Sequence, residues 1–410
     1  MSPSHSRLAA TTSRTFARKV VVPIVALGLA FSVTACQQVQ TVEDAPQGDD
    51  VISAPIGDQT IVEGGDLVMA LSAEPDKLDP TTSTSLYTRY VMQTMCEKLY
   101  DIDENGDIVP MLAEELPEVS DDGLTVTIPV RSGIQFADGT DMNAEAVAQT
   151  IQRGLTLEGS SRKSELGPIT NVAAVDDTVE LTYSAPFAPI TATLADRAGM
   201  ILSPQALAEK GAAFGDAPVC VGAFKFVERV PQTSIKVERD PLYYDAENVH
   251  LDTITYRIIT DSNIRSANLM SGDVQVADTI STQDVDALEQ ADGIGVLQVG
   301  SLGYQALTIN TGNVNGVGSP PEAIDTPLAS NPVVREALSM SIDREALVSS
   351  VFSNRHVPAC SPISASSPFS SDASEACPEY DPAAAKQMLE EAGVPIPFPI
   401  EMQVANNPDT

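Results

Sequence analysis

The side chains best able to do covalent chemistry in this 410-residue chain are its five cysteines: Cys36, Cys96, Cys220, Cys360 and Cys377. Cys36 stands apart, directly after Val33-Thr34-Ala35 at the end of an apolar run. Small residues before a thiol suit cleavage followed by lipid attachment to the sulfur. The other four show no Cys-x-x-Cys or Cys/His spacing of the kind that holds zinc. An even remainder in an oxidising compartment implies two disulfides, and three pairings are possible. Cys96–Cys220 and Cys360–Cys377 are favoured: the second closes a short loop rich in Ser and Pro, and the first ties two distant segments. Asp101-x-Asp103-x-Asn105-Gly106 imitates the start of an EF-hand loop. Its twelfth position is Leu112, where calcium needs a bidentate Glu, so a turn between strands explains it better. The only histidines are His5, His250 and His356, and no metal site is expected. Asp121-Asp122 reads as a turn rather than an acid/base dyad. Asn310–Gly316 is polar and glycine-rich, yet no Gly-Lys-Ser/Thr follows to make it a phosphate loop. With no Gly-x-Ser-x-Gly and no Ser/His/Asp order, no catalytic residue, cofactor or enzyme activity is expected.

Several elements must carry these groups. Residues 1–35 read as a secretion signal: Arg7, Arg14, Arg18 and Lys19 precede an apolar run from Val20 to Val33. That run is too short to serve as a permanent membrane span. With Cys36 it resembles the bacterial lipobox, so Cys36 is expected to be lipidated and to anchor the chain to the outer face of the cell membrane. Residues 36–65 carry Glu43, Asp44, Asp49, Asp50, Asp58 and Glu63 with Gly and Pro, and read as a flexible acidic tether. Removing the four basic residues before Cys36 takes the formal charge from −34 to about −38. Such a surface excludes nucleic acid as a partner, because phosphate binding needs clustered Lys and Arg.

Beyond the tether, strands and helices alternate. Asp66–Leu71 predicts a first strand and 72–80 a loop with two prolines. A helix is predicted over about 85–99, with Leu86, Tyr90, Val91, Met95 and Leu99 on one face. Strands are predicted at 124–130, 179–183, 223–228 and 233–239. Asn143 should cap a helix striped by Val147, Ile151 and Leu155, and Asn331, Asp343 and Asp381 should open three more. Leu347, Val348 and Val351 mark the stripe of the second of these. The mixture places the chain in the α/β or α+β class.

The order of short motifs carries a resemblance. Leu78-Asp79-Pro80 is followed by Gly106–Ala113, Asp122–Thr125, Ile128–Phe136, Asp138-Gly139-Thr140 and Asn143–Val147. Gly222–Phe226, Arg239–Tyr244, Ser271–Ala277, Tyr304–Asn310, Val334–Leu338, Ile342-Asp343-Arg344 and 381–393 continue it. Each motif is weak alone; in this order, over 66–402, they resemble family 5 extracellular solute-binding proteins. That family includes oligopeptide-, dipeptide- and nickel-binding proteins. The sequence departs where relatives carry Gly-Thr-Gly-Pro; here Val219-Cys220-Val221-Gly222-Ala223 stands, and Cys220 is read as a disulfide in place of a local turn.

The resemblance implies an α/β, bilobal, periplasmic-binding-protein-like fold of class II type with an extra domain. Residues 66–103 plus 200–303 would form domain I, 104–199 domain II, and 304–410 an incomplete domain III, with ligand-selecting residues beyond Thr410. Two lobes would close by a hinge on a small solute, most often a peptide. The partners implied are the ligand, ABC permease subunits with their cytoplasmic ATPase, and the membrane through the anchor, with the protein a monomer. Ser72, Ala73, Glu74, Val221, Gly222, Tyr304 and Gln305 are the candidate cleft residues. A surface sensor or interaction protein using the same fold without transport is the alternative.

Overall fold

A computed structural model describes residues 60–103, 106–316, 319–367 and 369–404, with the backbone of Val51–Ile52. The secretion signal, Cys36, most of the tether, and Glu104 and Asn105 of the EF-hand-like turn lie outside the described residues.

Strand β1 (Asp66–Leu71) leads through a loop to helix α1 (Leu86–Met95). The hairpin β2 (Tyr100–Ile102) and β3 (Ile108–Pro110), then β4 (Glu118–Val119) and β5 (Thr125–Pro129), precede helix α2 (Ala144–Thr156). The hairpin β6 (Ile169–Val175) and β7 (Thr178–Tyr183) follows. The chain returns through α3 (Pro204–Lys210) to β8 (Phe224–Val230), β9 (Ser234–Arg239), β10 (Thr253–Ile258), α4 (Ser262–Ser271) and β11 (Val276–Ala277). Helices α5 (Pro332–Met340), α6 (Arg344–Val351) and α7 (Pro382–Glu391) come last.

Two sheets organise these elements. The first runs β8-β9-β10-β1-β11; β1 pairs in parallel with both β10 and β11, while β8, β9 and β10 are antiparallel neighbours. A strand in that interior position is covered on both faces, which is why β1 reads Leu-Val-Met-Ala-Leu rather than alternating. The second is antiparallel, β4-β5-β7-β6, and its alternation follows from one buried face: Val126 and Ile128 of β5 and Val179 and Leu181 of β7 point into the core. Helix α2 covers it with Val147 and Ile151, and the Asn143 side chain accepts a hydrogen bond from the Ala146 N–H at 3.0 Å. Each sheet has its own apolar core, and Val219 packs against both.

Helix α1 is shorter than its pattern predicts. Ser85 caps it, but it ends at Met95 because Cys96 is extended and the chain crosses toward the second sheet. Its buried face is Thr88, Val91, Met92 and Met95, whereas Leu86 is 46% exposed. The three predicted late helices form where expected, each opened by its Asn or Asp cap. Val334 and Ala337 of α5 and Ala385 of α7 are buried, but Leu347 and Val351 of α6 are exposed among the described residues.

Both disulfides join the favoured partners: Cys96–Cys220 across 124 residues and Cys360–Cys377 across 17. The first clips together two segments that cross between the sheets. There the Glu97 N–H donates to the Val221 carbonyl at 2.7 Å and the Leu99 N–H to the Gly199 carbonyl at 2.9 Å. Gly222 permits this closeness, since a Cβ at that position would lie 2.3 Å from the Met95 carbonyl oxygen. Gly222→Ala is therefore expected to cost about 1–3 kcal/mol, the range for forced overpacking. A urea midpoint unchanged from wild type would show that the crossing yields.

Candidate ligand cleft at the ends of the parallel strands

β1, β10 and β11 run the same way, so the loops after Leu71, Ile258 and Ala277 emerge at one edge of the sheet. In open sheets with parallel strands, ligands bind outside these carboxyl ends. The three loops are tied together by polar contacts. The Ser72 N–H donates to Asp278 Oδ1 at 2.7 Å, and Ser72 Oγ lies 3.0 Å from Asp278 Oδ2 and 2.8 Å from the Tyr87 hydroxyl. Arg265, fully buried on α4, gathers backbone carbonyls from two of the loops. It donates to Ile259 O at 2.8 Å, Thr260 O at 3.0 Å, Asp278 O at 3.2 Å and Thr279 O at 2.6 Å. Thr279 has φ 48°, a region that costs energy for a β-branched residue. Such strain persists where the surroundings over-determine it, here through Arg265.

The cluster holds opposite charges close together, the Asp278 carboxylate and the fully buried Arg265 guanidinium, whose charge favours the ionised carboxylate. Burial raises the pKa of Asp278 despite its bonds to Ser72, and among the described residues it forms no ion pair. Tyr90 is pushed upward by burial and by the nearby Asp278 and Tyr87. Tyr87 and Tyr90 meet edge to face at 6.0 Å on successive turns of α1. A cluster of hydroxyls and aromatic rings around the half-buried Asp278 carboxylate has the groups to bind backbone amides or a cationic group of a small solute.

The predicted cleft residues are placed as follows. Ser72 lies inside the crevice and Ala73 beside it, half-buried. Glu74 is held by Arg229, whose Nη2 lies 2.6 Å from Oε1, and by the Gln232 N–H at 3.1 Å from Oε2. Its charge fixes the loop against the β8–β9 hairpin. Val221 is buried in the core of the second sheet, and Gly222 is at the crossing. Tyr304 and Gln305 are exposed in an irregular segment, and no hydrogen bond among the described residues joins them to Ser72. Pattern reasoning missed Asp278, Arg265, Tyr87 and Tyr90. The i, i+3 tyrosine pair and the position of Asp278, next after the Ser271–Ala277 motif, were the available signals.

Two neighbouring features are structural. Glu97, buried at the crossing, has its pKa raised by burial even though the Tyr243 and Tyr244 hydroxyls donate to it, the latter at 2.9 Å. The aromatic pair closing the Arg239–Tyr244 motif thus serves a buried carboxylate. Asp76 sits at the start of α1. Burial raises its pKa, but hydrogen bonds from Thr84, Thr88 and Lys77 outweigh that and hold it at about 2, below its ordinary 3.8. A depressed native pKa adds stability above the unfolded value, and that stability disappears as pH falls through about 4 toward about 2. Asp76→Asn should flatten the acid limb of stability in that window. An unchanged limb in pH-dependent urea melts would remove Asp76 from the account. His250 Nδ1 lies 2.9 Å from Glu63 Oε1, and His356 packs on Phe352. Among the described residues no cluster of His, Cys, Asp or Glu is arranged to hold a metal.

Residues 107–410 match the model of bacterial extracellular solute-binding proteins, family 5 Middle. The glutathione-binding protein GsiB of Pectobacterium atrosepticum is 31% identical over 349 residues, covering 84% of this chain and 64% of that protein. The GsiB of Escherichia coli is 30% identical over 347 residues, covering 84% and 65%. The periplasmic binding protein AgaA of A. tumefaciens R10, solved with agropinic acid, is 27% identical with a TM-score of 0.67, covering 80% of this chain and 64% of its own. The oligopeptide-binding protein AppA of Bacillus subtilis, solved with a nonapeptide, is 26% identical with a TM-score of 0.68, covering 81% and 65%.

A mixed α/β architecture built on a five-stranded sheet with a parallel core and a separate four-stranded antiparallel sheet is that of a class II periplasmic binding protein. The chain belongs to the family 5 extracellular solute-binding proteins. It spans just under two thirds of the length of the relatives it matches.

Proposed function

We propose that this protein is the solute-binding lipoprotein of an ABC importer. It captures a small solute outside the cell, most often a peptide, and delivers it to a membrane permease driven by a cytoplasmic ATPase. The observation that supports the reading is the crevice joining Ser72, Tyr87, Tyr90 and Asp278 at the ends of β1 and β11. A relative that binds glutathione and a fold neighbour solved with a nonapeptide favour a peptide-like cargo. Cys36 carries the anchor, the tether lets the head move, and the head acts as a monomer. Domain I comprises 66–103 and 200–303, domain II 104–199, and domain III begins at 304.

Native mass spectrometry of the anchor-free gene product, followed by melts against a peptide panel, tests the reading. A stabilising cargo should raise Tm with concentration as RT ln(1 + [L]/Kd), and Ser72→Trp, which fills the crevice, should abolish the shift. No cargo and no shift across peptides would end the proposal. Uptake of a binding peptide should fail in a deletion strain; uptake that persists while binding is intact would favour a surface sensor instead.

A further inference from the structure

A second group of buried polar side chains lies where the loop after β1 meets the second sheet. Arg162 donates from Nη2 to the Ser83 carbonyl at 2.9 Å and from Nη1 to Glu165 at 2.5 Å. Arg197 donates from Nη1 to the Ser85 carbonyl at 3.1 Å and reaches the Ser83 carbonyl at 3.5 Å. Arg89 forms a two-pronged pair with Asp196, through Nε at 2.8 Å and Nη2 at 2.5 Å. Asp196 lies 3.9 Å from Arg197 Nε, too far for a hydrogen bond.

Among the described residues, three polar atoms in this group have no hydrogen-bond partner: Ser83 Oγ, Arg162 Nε and Arg197 Nε. They belong to the residues that meet at the Ser83 carbonyl. Ser83 is 0% exposed and the Arg162 side chain 3%. Leaving a buried donor unmatched costs about 1–3 kcal/mol, and more for a charged group. All three can donate, and the two guanidinium nitrogens can do nothing else. The charges around Arg162 are Arg89, Arg197, Asp196 and Glu165, so three cations face two carboxylates. Burial works against the charged form of Arg162, which sharpens the need for a compensating negative charge.

We propose that Ser83, Arg162 and Arg197 bind a small monovalent anion of the halide class, held inside the joint between the first-sheet loop and the second sheet. An acceptor-only species matches two donor-only guanidinium nitrogens and a hydroxyl free to donate, and one negative charge neutralises the excess of one positive. The near-complete burial of Ser83 and Arg162 excludes the carboxylate of a transported solute, so the site is separate from the cleft. The ion braces the two sheets against each other while the cleft works elsewhere.

Crystals of the full chain soaked in bromide should show an anomalous peak within hydrogen-bond reach of Arg162 Nε, Arg197 Nε and Ser83 Oγ. In solution, Tm should rise with chloride at constant ionic strength, with gluconate as the replacing anion. Ser83→Ala keeps both arginines and the fold, and should raise the chloride midpoint about tenfold, the loss of one charge-assisted hydrogen bond. A water at that point with no bromide signal overturns the proposal. So does a bromide peak in a protein whose melt ignores chloride, which would mark an adventitious ion only. A Ser83→Ala midpoint equal to wild type removes Ser83 from the site and overturns it as stated.

Discussion

Asp79→Ala should destabilise the protein by about 3–5 kcal/mol, the cost of breaking a buried ion pair from one side. The Asp79 carboxylate receives Arg153 Nη1 at 2.9 Å and Nη2 at 2.7 Å, and also the Thr81 N–H at 2.9 Å. The two side chains are 7% and 14% exposed. Arg153 comes from α2 over the second sheet, while Asp79 follows β1 of the first, so the pair spans the joint. Removing the carboxylate leaves a guanidinium buried beside the Phe214 ring at 5.8 Å, with no carboxylate to answer it. Water cannot reach it cheaply, and this is what separates the pair from a surface bridge worth less than about 1 kcal/mol. Asp79→Leu combined with Arg153→Met should recover much of the loss, because two apolar groups need no partner. Urea melts of the three variants decide the matter. A loss below about 1 kcal/mol in Asp79→Ala would mean that the pair is solvated.

The same pair explains how much could be read from the sequence. Leu78-Asp79-Pro80 stood out as a motif, yet nothing local says that its Asp meets an Arg 74 residues later. Elements whose information is local were legible: β1 from its apolar run, α2 from its Asn143 cap and stripe, and the late helices from Asn331, Asp343 and Asp381. β6 and β10 went unread because both carry mixed polar residues, Thr-Asn and Thr-Tyr-Arg among them, and β10 also takes a distant partner in β1, whereas β6 pairs only with its hairpin neighbour β7. The stripe on α1 was read in part: Val91 and Met95 are buried as expected, but Leu86 is exposed, Leu99 lies beyond the helix end, and Thr88 and Met92 complete the buried face. Of the cleft, Ser72 was reachable because a strand end followed by a proline-rich loop is a local signal. Asp278 and Arg265 were not: their roles arise from parallel pairing of β1 with β11 across more than 200 residues. Val221 and Gly222 were put forward as cleft residues, but Val221 packs in the core of the second sheet and Gly222 lies against the Met95 backbone at the crossing.

That crossing carries the other large effect. Replacing Cys96 and Cys220 together by Ala should cost about 2–5 kcal/mol, toward the upper end. The bond spans 124 residues that include the whole second sheet, and the chain-entropy model gives about 5 kcal/mol for such a loop against about 3 kcal/mol for the 17 residues between Cys360 and Cys377. Location widens the difference. Cys96 and Cys220 are buried in the core of the first sheet, whereas Cys377 is exposed and Cys360 half-exposed. Thiol–disulfide exchange needs access to the sulfur. A mild reductant should therefore open Cys360–Cys377 first, with a small change in Tm, and open Cys96–Cys220 only as the protein unfolds. Timed alkylation with peptide mapping reads the order directly, and a melt recorded at each stage reads the consequence. Early labelling of Cys96 and Cys220 in folded protein would mean that the crossing opens on its own. Four free thiols in oxidised protein, with a melt that reductant does not move, would remove the clip altogether.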